Sequence, residues 1–303
     1  MTEYRAVFDA RIQFVNGGGL TAEGFRLDVP SADVDERTVG ELLVRHLGLA
    51  LVESVELTGF ELVEEAHTGS RGMVASAPAP DGPRYIDLSH TIVDGLLTMP
   101  GMPVPRISPH LTREASRSVY AAGTEFAIPR IDMVANTGTY LDTPFHRYAD
   151  GHDLAGLALE RIVSVRAELV RLVDSSTRGI PAEVFYDRDV TGAAVLLHTG
   201  WDRHFGTPAY SASAPFLTEA GARYLVEHGV GLVGIDSINI DDMSPESGGA
   251  RPAHTLLLAA GTPIVEHLTG LAGVPPRGAA FTAVPPRVED FGTFPVRAFA
   301  TIG

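Results

Sequence analysis

Asn136-Thr137-Gly138-Thr139-Tyr140-Leu141-Asp142-Thr143-Pro144-Phe145-His146 gathers a carboxamide, a phenol, a carboxylate and an imidazole around one glycine. Asn136, Tyr140, Asp142 and His146 fall at even spacings, so in an extended segment their side chains share one face. Four polar groups on one face do not suit an apolar core. The stretch predicts the wall of a polar cavity.

Working outward, residues 126–134 predict a strand that feeds this stretch, after a proline-rich loop over 100–109. Asp150-Gly151 predicts a turn. Residues 162–173 interleave Val and Leu with charges and predict a strand. The continuous apolar runs at 193–198 and 230–235 predict buried strands. They lead into Thr199-Gly200-Trp201-Asp202 and Asp236-Ser237, and the C-terminal ends of strands are where open sheets place ligands. Between them, Thr218 and Glu219 open a helix through Ala222, Leu225 and Val226, which Gly229 closes. A short helix is expected over 268–271, and final strands over 281–284 and 296–300.

Residues 1–68 predict a small α+β accessory domain. Residues 4–15 and 25–29 alternate as strands do, around a turn or mobile loop at Asn16-Gly17-Gly18-Gly19. That loop matches neither phosphate-binding glycine spacing. Asp33 or Asp35 caps a helix bearing Val39, Leu42, Leu43 and Leu47, ended by Gly48. Residues 51–63 predict two strand segments broken at Thr58-Gly59. Residues 69–83 have linker composition, and 84–303 form the second domain. The fold class is α/β and strand-rich, preceded by the small α+β domain.

Composition narrows the function. A formal net charge of −15 argues against nucleic acid, and no apolar run approaches the roughly 20 residues that span a bilayer. The absence of cysteine rules out disulfides, thiolate metal sites and a Cys nucleophile. The first residues lack a signal-peptide pattern. A cytoplasmic enzyme with a small-molecule substrate is expected.

Asp142, His146, His254 and Glu266 are a plausible hard-metal or acid/base set. Each also has a structural alternative: a turn cap for Asp142, a carbonyl-bonded ring for His146, a loop position for His254 and a surface charge for Glu266. Trp201 is either pocket wall or core. Asp236 is either a ligand group or a loop support.

Residues 85–302 resemble the cyclase family that includes bacterial kynurenine formamidase and isatin hydrolase. The family's H-x-G-T-H-x-D-x-P-x-H reads N-T-G-T-Y-L-D-T-P-F-H here, at 136–146. Asp87-Leu88-Ser89-His90-Thr91-Ile92, Thr199-Gly200-Trp201-Asp202, Gly234-Ile235-Asp236-Ser237, His254, Ile264-Val265-Glu266-His267-Leu268 and a closing strand from Pro295-Val296-Arg297-Ala298 match as well. The resemblance implies that Asp142 is a metal-ligand position and His146 the acid/base position. It places His254 and Glu266 as the distant pair that completes a second metal position or the catalytic network. It further implies zinc or manganese, and dimers or tetramers of the chain.

The two motif imidazoles are Asn136 and Tyr140 here. A carboxamide oxygen is a weak donor to these metals and a neutral phenol a weaker one. The first metal position is therefore expected to be lost and no cofactor to be required. Asp142, His254 and Glu266 remain as the set that could hold zinc or manganese if one is bound. Without the metal no water is acidified to a pKa near 7. The expected activity is acid/base catalysis on a small carbonyl compound: ring closure, dehydration or isomerisation, a lyase-type chemistry suited to specialised, polyketide-like biosynthesis. His146, Asp142, Tyr140, Glu266 and His254 are its expected catalytic residues, with Asn136, Trp201 and Asp236 binding substrate. The alternatives are a metal-dependent hydrolase of an amide or lactone, and a non-catalytic binding protein.

Overall fold

The structure, a computed structural model, describes residues 2–303 apart from Pro30, Ala32, Gly48, Ala50, 67–81 and Asp174. The chain divides into two compact units, residues 1–77 and 78–303. Most of the predicted linker, and the predicted helix stop at Gly48, lie outside the described residues.

In the first unit, alternation builds one antiparallel sheet. Strands β1 (Thr2–Phe14), β2 (Gly19–Val29) and β3 (Val52–Ala66) lie in the order β2-β1-β3, with helix α1 (Glu36–His46) between β2 and β3 in sequence. Ala6, Phe8, Ala10 and Ile12, at every second position of β1, are buried in one cluster with Val39 and Leu43 of α1. Asp35, not Asp33, caps α1, accepting from the Thr38 backbone N–H at 2.8 Å. Residues 51–63 are not two segments. The pairing of β1 with β3 slips near Thr58-Gly59 and continues, with Gly59 at φ +64°. A bulge of this kind inserts one residue without ending the ladder.

The second unit contains β4 (Arg84–Asp87), β5 (Arg106–Leu111), α2 (Arg113–Ser116), β6 (Ile128–Asp132), β7 (Tyr140–Asp142), β8 (Val165–Arg171), β9 (Gly179–Ile180), β10 (Ala194–His198), β11 (Phe216–Leu217), α3 (Glu219–Glu227), β12 (Leu232–Ile235), α4 (Pro252–Ala259), β13 (Ile264–Glu266), β14 (Ala279–Thr282), β15 (Thr293–Pro295) and β16 (Phe299–Ile302). Nine of these strands form one mixed sheet, in the order β15-β7-β13-β12-β10-β8-β14-β16-β4. Its centre, β13-β12-β10-β8, is parallel. The flanking strands on both sides pair antiparallel.

Side chains leave the central strands alternately to two faces. Leu169, Ala194, Leu196, Leu232 and Val265 go to one core. Val170, Val195, Leu197, Val233 and Ile264 go to the other, which Leu225 of α3 and Leu257 of α4 cover. Both faces are thus apolar, which is why the strands read as unbroken hydrophobic runs.

Several local expectations differ from the structure. β5 starts within the expected proline-rich loop, at Arg106, runs past it to Leu111 and pairs antiparallel with β6. His254 is on a helix, not in a loop: Pro252 is the first residue of α4, where a proline's missing N–H costs nothing. The helix over 268–271 is replaced by a turn at Leu271–Gly273, because His267 and Gly270 adopt φ +56° and +68°. The closing strand is split into β15 and β16. Among the described residues no helix is long and apolar enough to cross a membrane.

Candidate active site

β7 is three residues long because Gly138, at φ +66°, bends the chain before it and Pro144 starts a helical turn after it. In the antiparallel register Tyr140 lies opposite Glu266 of β13 and Pro295 of β15. Asp142 lies opposite Ile264 and Thr293. Tyr140 and Asp142 therefore share one face, and Leu141 packs on the other with Val265.

The extended run of four polar residues does not form. Asn136 precedes the Gly138 bend and His146 sits on the turn Pro144–His146. The convergence it predicted is nevertheless present. Asn136, Tyr140, His146, His254 and Glu266 line one cavity of about 400 Å³. Turns on either side of β7, not a strand period, bring the ends of the motif together.

Asp142 is completely buried beneath this cavity. Its Oδ1 accepts a short hydrogen bond from Thr293 Oγ1. Thr293 Oγ1 also lies 2.8 Å from His146 Nδ1. A hydroxyl has one proton, and the carboxylate can only accept it. His146 Nδ1 must then carry its own proton toward Thr293, so that in the neutral ring it is Nε2 that holds the lone pair. Asp142 thus orients His146 through Thr293; its direct approach to His146 Nδ1 is 3.8 Å. The second oxygen, Asp142 Oδ2, is buried with no hydrogen-bond partner among the described residues.

His254 is held from behind. Its Nδ1 lies 2.7 Å from Asp241 Oδ2, and Asp241 also accepts the backbone N–H groups of Ala253 and His254 at the start of α4. Its Nε2 faces Asp142 Oδ2 at 3.8 Å and Glu266 Oε1 at 3.7 Å. Burial disfavours the imidazolium, but the carboxylates of Asp142 and Asp241, with Glu266 behind them, outweigh it and raise His254 to about 10.

Glu266 accepts from the Ile240 backbone N–H at 2.6 Å and from the Tyr140 hydroxyl at 2.7 Å. Burial pushes it up to about 7; the His254 charge opposes this and Asp142 adds to it. Tyr140 is pushed well above the usual phenol range, by burial first and then by the charges of Glu266 and Asp142. It is a neutral phenol. On its far side His267 Nε2 lies 3.3 Å from the Tyr140 oxygen, and His267 Nδ1 lies 2.9 Å from the Tyr210 hydroxyl. Burial, reinforced by His90, lowers His267 to about 3, so this ring stays neutral.

The remaining two candidates stand apart from the cavity lining. Asp236 ties the end of β12 to the end of β10: its oxygens accept from Thr199 N, Thr199 Oγ1 and Gly200 N at 2.7, 2.5 and 2.8 Å. Trp201 donates from Nε1 to the Tyr210 carbonyl at 2.9 Å and packs in a small apolar cluster with Tyr210 and Ile238. The structure adds Thr293 and Asp241, which carry no motif of their own, and His267, which lies in the matching segment 264–268; each matters through what it touches. His267, two positions after Val265, offered the one sequence signal, a histidine directly behind Glu266.

The donors at the motif decide what metal could be held. Asn136 and a neutral, hydrogen-bonded Tyr140 do not fit the two imidazole positions that the family resemblance implies. Asp142, His146 and His254 do bring donor atoms within 4.8 Å of one another. The unpartnered Asp142 Oδ2 and the Asp241 bond behind His254 are what a cation ligand set requires. These three are residues that could hold one zinc or manganese ion, and Glu266 Oε1 lies 3.7 Å from His254 Nε2 beside them.

The cyclase family model matches residues 86–242, more than half of the chain. A kynurenine formamidase of Geobacillus thermodenitrificans (strain NG80-2) is 30% identical over 173 residues, covering 56% of this chain and 78% of that protein. Another, of Bacillus cytotoxicus, is 27% identical over 216 residues, or 71% and 95% of the two chains. Isatin hydrolase A from Ralstonia solanacearum has a similar fold, with a TM-score of 0.62 and 24% identity over 73% of this chain and 92% of that one. The structure of a potential metal-dependent hydrolase with cyclase activity is similar at a TM-score of 0.59 over 73% and 99%. With the fold and the ordered motif in agreement, this chain belongs to the cyclase family.

Proposed function

We propose that this chain is an enzyme that moves protons at the carbonyl group of a small substrate, by acid/base catalysis that needs no metal at the usual motif position. The observation that carries this reading is the Tyr140–Glu266 hydrogen bond of 2.7 Å. It stands where the family resemblance implies a metal-bound imidazole.

Neutral His146, with its lone pair on Nε2, can take a proton from a carbon or hydroxyl beside the carbonyl. The Tyr140 hydroxyl points to Glu266, which burial holds near neutrality. A proton on Glu266 reverses the pair: the carboxylic acid donates to the phenol oxygen, and the phenol O–H is freed for the oxyanion or enolate. His254, held cationic among Asp142, Asp241 and Glu266, offsets part of their negative charge beside the cavity. Such a set suits ring closure, dehydration or isomerisation.

A second reading is favoured by the unpartnered Asp142 Oδ2 and by the named relatives, which are hydrolases. A cation held by Asp142, His146 and His254 would polarise a carbonyl and acidify water, as amide or lactone hydrolysis requires. Turnover of β-dicarbonyl, N-formyl and lactam compounds, each with and without a chelator, separates the two. Chelator-resistant enolisation or cyclisation supports the first; hydrolysis abolished by the chelator supports the second.

A further inference from the structure

The cavity over Tyr140 has two guanidinium groups in its lining, Arg147 and Arg251. The chain has 38 acidic residues for 23 Lys and Arg. Several arginines elsewhere pair with carboxylates, Arg178 with Asp242 at 2.6 Å, Arg166 with Glu168 at 2.8 Å and Arg297 with Asp87 at 2.8 Å, whereas others, such as Arg171 and Arg287, bond backbone carbonyls. At the cavity, Arg251 donates to the backbone carbonyls of Asp242 and Ala250 at 3.2 and 2.8 Å and contacts Met243 Sδ at 3.0 Å. Arg147 lies 5.7 Å over the Tyr148 ring. Among the described residues neither forms an ion pair.

A net charge of −15 repels anions at long range, but salt screens that field beyond roughly 8 Å. A local pair of unneutralised guanidiniums is then what an anionic group meets at the cavity. Arg251 is partly buried and anchored by its carbonyl bonds, so it loses little freedom on binding. Met99 and Met102 supply the apolar part of the lining, which suits a flat ring. A volume of about 400 Å³ accepts a compound of one or two rings.

We infer that the substrate of this site is a small ring compound bearing a carboxylate, which Arg147 and Arg251 bind while its carbonyl reaches Tyr140 and His146. The inference rests on the proposed use of this cavity for carbonyl chemistry. The acidic floor of Asp142, Glu266 and Asp241 makes the division functional. An anionic group is disfavoured there and directed to the arginines, which leaves the uncharged carbonyl for the phenol.

Equilibrium binding of benzoate and of its neutral isostere benzamide tests this without any turnover, so it can fail while the acid/base reading stands, and the reverse. Benzoate is expected to bind the wild-type chain about tenfold more tightly than benzamide, the scale of charge-assisted hydrogen bonds. Arg147→Gln, at an exposed position, is expected to remove part of that preference, and Arg147→Gln with Arg251→Gln to abolish it. Arg251→Lys, which keeps the charge but not the fork, is expected to retain part. Benzoate that fails to bind, that binds no more tightly than benzamide, or that keeps its preference in the folded double variant overturns the inference.

Discussion

Tyr140 donates to Glu266 Oε2 at 2.7 Å across the β7–β13 pair, where the two residues are directly opposite each other. Both side chains are buried, so the bond joins a neutral phenol to a carboxyl group whose proton affinity is raised. The pair is held by the register of two strands and not by a flexible loop, which fixes the phenol's height above the cavity floor.

Tyr140→Phe removes the donor and leaves the Glu266 oxygen unpaired. Thermal or denaturant unfolding should show a loss of about 1–3 kcal/mol, the scale for an unsatisfied buried polar group. Turnover should fall roughly tenfold or more through kcat, the scale for one oxyanion donor. A change in KM alone would mean that Tyr140 only shapes the cavity.

Thr293→Val keeps the shape but deletes the hydroxyl that bridges Asp142 and His146. Asp142, with Oδ2 already unpartnered, then loses its acceptor contact at Oδ1 as well. The His146 ring loses the bond that fixes its proton on Nδ1. Activity should drop with the fold intact by circular dichroism, and Thr293→Ser should restore most of it. Equal activity in the Val and Ser variants would show that Thr293 plays no part in orienting His146.

Asp236 supplies a pH dependence that can be isolated. Burial raises its pKa from 3.8 to about 6 in the folded chain, against the hydrogen bonds from Thr199 and Gly200. Between these values the folded state binds the extra proton, so its contribution to stability falls as pH rises from about 4 to about 6 and is level above. Asp236→Asn lacks this titration. It also lacks one acceptor oxygen, so it should be the less stable chain. The gap between wild type and variant should narrow by up to about 3 kcal/mol as pH rises from 4 to 7, at 1.36 kcal/mol per unit. A gap independent of pH would contradict the assigned burial of the charge.

Asn136→His with Tyr140→His restores the two imidazoles beside the retained Asp142. Zinc titration by calorimetry should show one site appearing, tighter by at least about tenfold than in the unaltered chain. No gain would mean that the surroundings of the motif have drifted along with its ligands.

Much of this architecture was legible in the sequence. The apolar runs of β10 and β12 marked the buried centre of the sheet because both of its faces are covered. Thr218 and Gly229 bracketed α3 because capping chemistry is local. β5 was hidden by prolines at an antiparallel pair, where the missing N–H groups of Pro109 and Pro129 face each other in the register. The helix holding His254 was hidden because its start depends on Asp241, which accepts the first backbone N–H groups. At the candidate site, residues with their own chemistry were singled out and lie together: Asn136, Tyr140, Asp142, His146, His254 and Glu266. Thr293, Asp241 and the two cavity arginines were not, since their part comes from neighbours set by tertiary register. Asp236, expected at a ligand site because it follows a strand end, accepts from the turn after β10, and Trp201, read as pocket wall or core, donates to the Tyr210 carbonyl.

The most direct test of the central claim is the metal content of the chain purified without chelator, together with zinc and manganese titration of the same sample. Acid/base catalysis without a motif-bound metal predicts well under one equivalent of either ion per chain and only weak binding on titration. One tightly bound zinc or manganese per chain, lost together with activity on chelation and restored with it, would contradict the account.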